Sequence, residues 1–208
     1  MCRKWQIHKR IQEEIMTKKV TTKKGTRPLI NRSCIRQMVT KDGKVHGMSK
    51  VAFNTARAMG EDIVKRLIRK CKFLIQNQPN QADGQNVTIG PRHVIAAANA
   101  LKIPGEITED AVIRAQRQAY DAKTFKKSTI RRKMAGYAGK NWVKKDSNKY
   151  LWCIVITLLE EIFTQAIEMK GGDKTRITSQ SIYKAIAAHP DNLLQPFKTY
   201  IGEGVGFA

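Results

Sequence analysis

The sequence predicts an all-α protein in which one helical unit, a short helix, a long helix and a second short helix joined by loops, occurs twice. Three observations carry this expectation. Two long stretches repeat their apolar residues every three or four positions, as one face of a helix does. Each is followed, after a break, by a short extended run and a shorter helical pattern. The apolar fraction of 41% is ordinary for a chain that packs a core. A long helix with two short arms cannot close a core alone. Two such units, crossed head to tail as an intramolecular pseudodimer, can cover each other's apolar stripes.

Residues 1–28 read as a basic tail, in which Trp5, Ile7, Ile11 and Ile15 fall near helical spacing and suit a partial amphipathic helix, while Thr21 to Pro28 is expected to be extended. Leu29 to Val39 then predicts a three-turn helix, and Lys41-Asp42-Gly43-Lys44 a turn. Ser49 can cap a helix over 49–76. Its apolar face is Ala52, Ala56, Met59, Ile63, Leu67, Cys71 and Leu74, with Arg57, Lys65, Arg66, Arg69 and Lys70 opposite. Asn77 to Gly84, with Pro79, breaks it. Asn86 to Ile89 is extended, and Pro91 is well placed to open a second helix that ends near Leu101. After Pro104-Gly105, the acids Glu106, Glu109 and Asp110 suit a third helix N-terminus, with the helix running to about Ala122.

Residues 123–128 read as a linker, after which the pattern returns. Thr129 to Ala135 is short and basic, and Lys140 to Lys149 is a polar connection. From Tyr150 a second long helix places Leu151, Ile154, Leu158, Ile162, Ala166 and Met169 on one face, until Gly171-Gly172 stops it. Lys174 to Thr178 is extended. Ser179 caps a short helix, patterned by Ile182, Ala185 and Ile186, that ends at Pro190. The expected organisation is a tail over 1–28, a first unit with an extra C-terminal helix over 29–122, the linker, and a second unit with a short tail over 129–208.

Charge is the strongest compositional signal. Thirty-nine Lys and Arg stand against 17 Asp and Glu, a net charge of +22. Such a surplus repels itself in a compact state until a polyanion neutralises it. Nucleic acid is the first candidate and an anionic membrane surface the second, and ribosomal proteins share the composition. The chain is charged from Arg3 onward, without the apolar core of a signal peptide, and its longest apolar run, Leu151 to Leu159, is about half a membrane span. A soluble protein inside a cell or a particle, with no membrane partner, is expected. Cys2, Cys34, Cys71 and Cys153 lack the close pairing of a zinc site, so buried free thiols and a reducing compartment are expected. His8, His46, His93 and His189 show neither nucleophile nor metal spacing, and there is no phosphate-cradling glycine loop. Gly202-Glu203-Gly204 reads as a loose tail. No metal, cofactor or enzyme activity is expected.

Particular residues carry a family resemblance. Val87-Thr88-Ile89 before a helix, then Leu101-Lys102-Ile103-Pro104-Gly105-Glu106 before a further helix, resemble histone 2B. Tyr150-Leu151 opening a long helix, Lys174-Thr175-Arg176-Ile177 leading to Ala185-Ile186, and Gly204-Val205 resemble histone 2A. The resemblance covers about residues 29 to 205, and its specificity lies in the order and spacing of these motifs. Fused in this order, the halves resemble the histone doublets of giant DNA viruses of the Marseillevirus kind. The resemblance implies two tandem histone folds and a DNA-packaging function in chromatin-like nucleoprotein, in the virion and in the nucleus or viral factory of the infected host cell. The implied partners are double-stranded DNA, histones or a doublet similar to histones 3 and 4, and a second copy of the chain in an octamer-like particle. Histone octamers hold DNA by backbone contact and deformability, and the same mechanism is implied here.

The resemblance also implies where DNA would touch. One site joins Lys44, Ser49 and Lys50 with Lys174, Thr175 and Arg176, where hydroxyls, backbone N–H groups and cations grip phosphate. Arg176 matches the family's minor-groove arginine, a flat and weakly hydrated cation suited to a narrow groove. A second site joins Thr88 and Arg92 with Lys144 and Lys145, and is expected to hold DNA more weakly because Asn86 stands where the family has Arg. A third places Arg32 and Arg36 beside Arg131, Arg132 and Lys133. Of the family's acidic patch, Glu106, Glu161 and Asp191 remain, while Ile156, Thr164 and Arg114 fall where the family has acids. The sequence stops at Ala208, well short of the usual histone 2A docking segment, so weaker docking is expected. The rival expectation is a histone-fold subunit of a transcription or sequence-specific DNA-binding complex; a generic RNA-binding protein does not explain the repeat.

Overall fold

A computed structural model describes residues 29–41, 43–77, 88–117, 127–139, 142–144, 146–170 and 176–188. The tail over 1–28, Cys2, the linker residues 123–126 and everything beyond 188 lie outside the described residues. The fold is mostly helical, with seven helices and four two-residue strands among the described residues.

Asn31 starts the first helix, α1 (Arg32–Met38), by accepting the Cys34 amide at 2.9 Å. The cap makes this helix shorter than the three turns expected from Leu29, because Leu29 and Ile30 precede it in a bend as buried anchors. The expected turn follows between β1 (Thr40–Lys41) and β2 (Lys44–Val45), an antiparallel pair with Gly43 at φ +73°. Ser49 caps α2 (Lys50–Gln76) through the Ala52 amide at 3.1 Å. The expected face of α2 is buried from Ala52 to Cys71, and Gly60, Val64, Ile68 and Ile75 widen it. Gly60 is where the chain before α1 crosses: a Cβ there would stand 1.9 Å from the Ile30 Cδ1.

Beyond β3 (Thr88–Ile89), Pro91 opens α3 (Pro91–Ala100). This helix closes on Lys102 at φ 56°, with the Ile103 amide donating back to the Ala98 carbonyl at 3.1 Å. The next helix, α4 (Gly105–Gln116), ends short of the expected Ala122. Ala115 is the last buried residue of its stripe, and Arg117 leaves the helix in a turn. In the second half, α5 (Lys127–Ala138) is longer than the basic stretch suggests and begins inside the expected linker. The polar connection holds a strand, β4 (Trp142–Val143), and α6 (Ser147–Glu168) starts one turn before Tyr150. Thr178, rather than Ser179, caps α7 (Ser179–Ala188): its hydroxyl accepts the Ser181 amide at 3.2 Å, and Ser181 returns the contact to the Thr178 amide at 2.9 Å.

The core centres on α6, which packs against α4, α7, α2, α3, α5 and α1. Its expected stripe is buried except Met169, which lies past the helix end and is exposed; Trp152, Cys153, Val155, Leu159 and Phe163 bury its other sides. By length and composition α6 is apolar enough to cross a membrane, a property that the run Leu151 to Leu159, about half a membrane span, understates. Its apolar faces are spent on neighbouring helices instead. Cys34, Cys71 and Cys153 are buried and stand outside any disulfide among the described residues, and burial pushes the last two up to about 12, so they stay protonated.

Candidate nucleic-acid interface

Two backbone seams join loops that are far apart in sequence. At the first, Met48 and Ile177 form a parallel bridge. The Ser49 amide donates to the Ile177 carbonyl at 2.9 Å, and the Ile177 amide to the Gly47 carbonyl at 2.8 Å. Ile177 is fully buried and pins the entry to α7 against the entry to α2. Arg176, just before it, is exposed and lays its stem along Gly47, where an added Cβ would come within 3.3 Å of the Arg176 Cγ. The seam borders a cavity of about 780 Å³, lined by Arg32, Arg36, Lys50 and Arg176 around Ile35 and Phe53. Ser49 and Lys50 stand at this helix start, with Lys44 exposed on β2; Lys174 and Thr175 lie outside the described residues.

The second seam is the parallel pair of β3 and β4, with Thr88 opposite Trp142 and Ile89 opposite Val143. Ile89 is fully buried, and its carbonyl accepts the Lys144 amide at 3.0 Å and the Ser147 hydroxyl at 2.8 Å. Thr88, Arg92 and Lys144 are exposed along this seam; Asn86 and Lys145 lie outside the described residues. Replacing Ser147 with Ala removes one of the two donors to Ile89, and denaturant titration is expected to show a loss of about 1 kcal/mol.

His93 belongs here too, although on sequence alone it stands with the other histidines as a bystander. The Gly90 amide donates to its Nδ1 at 3.0 Å, and the Arg92 Nε lies 3.2 Å from its Nε2. Burial, then the charges of Arg92 and Lys144, hold the ring below the ordinary imidazole value, with the Thr88 backbone pulling the other way. The available signal was its position three residues after Gly90 at a Pro-opened helix start, where a side chain reaches back to the preceding amide. His46 is buried, its Nδ1 2.8 Å from the Lys170 Nζ. His8 and His189 lie outside the described residues.

The third expected cluster is divided. Arg32 and Arg36 turn toward the cavity at the first seam. Lys133 faces inward instead of toward a ligand, its Nζ 2.6 Å from the Glu61 Oε1 of α2. The reason is that the α5 face carrying Met134 and Ala138 packs into the core, where Glu61 needs a cation. Burial raises the Glu61 carboxyl, but the Lys133 hydrogen bond and charge, the Leu29 amide and the Lys65 charge outweigh it and hold the group below its ordinary value. Tyr137 Oη lies 3.4 Å from the same carboxylate. Arg131 and Arg132 remain exposed on α5.

Of the acidic remnant, Glu106 is exposed in the first turn of α4, and Glu161 on α6 accepts from the Gln165 Nε2 at 3.3 Å. Asp191 lies outside the described residues. Arg114 forms ion pairs with Asp110, at 2.7 Å, and with Glu160 on α6. Ile156 packs against the core, and the Thr164 hydroxyl donates to the Glu160 carbonyl at 2.9 Å. Two carboxylates of this face are thereby committed to one guanidinium.

No protein-family model matches the chain, and no curated protein matches it.

Proposed function

We propose that this chain is a DNA-packaging histone, a histone 2B-like half over 29–122 joined to a histone 2A-like half over 129–208. The two halves form one intramolecular head-to-tail pair, and the chain acts by binding rather than catalysis. With partners similar to histones 3 and 4, and with a second copy of itself, it wraps double-stranded DNA in a nucleosome-like particle, in the virion and the infected cell. The observation that carries this reading is the pair of seams. Each joins the loop before a helix of one half to a loop of the other, and each carries exposed basic residues, Lys50 and Arg176 at one and Arg92 and Lys144 at the other. Cations at fixed separation on a rigid helical body suit a phosphate backbone read by shape rather than by base. The net charge of +22 supplies the long-range attraction.

The test is to mix the chain with a histone 3/4-like partner and random-sequence DNA and to measure nuclease protection across a salt series. Protected fragments of uniform length support packaging. A preference of several hundredfold for one sequence at fixed salt would instead favour a transcription-complex subunit. Within the same assay, Arg176→Ala is expected to lower affinity about equally on all sequences and to reduce the salt slope by about one unit. Asn86→Arg is expected to steepen that slope. If Arg176→Ala leaves affinity and slope unchanged while a Lys in the 1–28 tail changes both, the first seam is not a DNA contact.

A further inference from the structure

At the second seam, donors outnumber acceptors. The Gly90 amide N–H points at the His93 Nδ1, and the Arg92 Nε–H at the His93 Nε2. A neutral imidazole accepts at one nitrogen and donates at the other, so one of these contacts sets N–H against N–H. The Lys144 ammonium adds its charge to the same ring. The missing partner is an acceptor carrying negative charge, and a phosphate oxygen is such a group.

We propose that His93 is a further DNA-binding residue, which takes up a proton as a backbone phosphate docks between its ring, Arg92 and Lys144. The inference rests on the packaging function proposed above. The groups facing the ring are Arg92 on its own helix, the Thr88 backbone on β3 and Lys144 after β4. From α2, the Cys71 thiol donates to the His93 carbonyl and carries no charge, and Asp146, ahead of α6, is paired with Lys149. Without DNA the ring is neutral and holds the Gly90 amide, extending the start of α3. Its folded value is depressed, so this contribution to stability is present above the ordinary imidazole value and is lost as pH falls through the folded one. A phosphate on Arg92 and Lys144 offsets the two charges that disfavour His93⁺ and attracts the cation directly. The ring then takes a proton from solvent and becomes a donor at both nitrogens. Its Nε2–H then donates to the phosphate oxygen beside Arg92 and Lys144, while the buried Gly90 amide loses its acceptor at Nδ1, a cost that the docked phosphate offsets.

The test follows binding of a short random-sequence duplex to the full chain at fixed salt, at about pH 8 and about pH 5.5, on either side of the imidazole range. Affinity is expected to rise about three- to tenfold toward acid, with the salt slope steeper by about one unit, the signature of one added cation. His93→Gln is expected to abolish this increment. Ring titration by NMR in the unmutated chain supplies a readout that needs no variant: the His93 pKa is expected to rise by about one unit when duplex is bound. Affinity equal at both pH values, an increment that survives His93→Gln, or a ring pKa unmoved by duplex each overturns the proposal. Absence of salt-dependent binding at about pH 8 overturns instead the packaging function on which it rests.

Discussion

Cleaved between Lys123 and Ser128, the two parts of the chain are expected to stay associated, and neither is expected to keep its fold once separated. The reason lies in how α6 is covered. Leu151, Trp152, Ile154, Leu158, Leu159, Ile162 and Phe163 are all buried, and the helices against them include α2, α3 and α4 from the first half. Burying side chains of this kind contributes about 1.5–3 kcal/mol each, so the seven together amount to roughly 10–20 kcal/mol. That matches or exceeds the about 5–15 kcal/mol by which a typical domain is stable. A second half that loses its first-half cover exposes a large share of this surface, and the seams Met48–Ile177 and β3–β4 lose their partner strands as well. Size-exclusion chromatography of the nicked protein, with circular dichroism of each part alone, measures both outcomes. Parts that separate under native conditions and each remain helical would refute the shared core.

The second large effect is expected at Trp152. It is the bulkiest of the fully buried side chains among the described residues and is 1% exposed. Truncation to Ala removes its transfer energy and leaves a cavity that rigid neighbours on several helices cannot close, a loss of about 3–5 kcal/mol. Because a loss of that size approaches the whole stability of many domains, Trp152→Ala is expected to be partly unfolded at ambient temperature. Denaturant titration followed by circular dichroism gives the number, since the substitution itself alters the fluorescence. A loss below about 1 kcal/mol would mean that the site collapses around the deletion and that α6 is less tightly packed than its burial indicates.

Much of the secondary structure was legible from local patterns. Ser49, the three-and-four spacing from Ala52 to Cys71, the turn around Gly43 and the Pro91 helix start each stand where the residues place them. Errors gathered at element ends and at short polar stretches. Asn31 shortens α1, Thr178 takes the cap expected of Ser179, and α6 reaches back through a connection whose Lys, Asp and Ser residues look loop-like. There the signals are single hydrogen bonds of about 1 kcal/mol, which packing against a neighbour easily overrides.

The candidate interface divides along the same line. Arg176, Lys50, Arg92 and Lys144 could be named from the motifs that carry the histone resemblance, and they stand exposed beside the two seams. Lys133 could not be told apart from its neighbours Arg131 and Arg132 by sequence, because what separates it is Glu61 on another helix. Likewise, His93 gains its significance only beside Lys144 from across the second seam, and Arg114 only beside Glu160. By itself the sequence determined the large positive charge, the two long apolar stripes and the breaks between helices, all properties of a residue and its near neighbours. Tertiary structure alone decided which cations face outward and which are paired within, because that depends on carboxylates and amides brought within about 3 Å by the packing of distant helices.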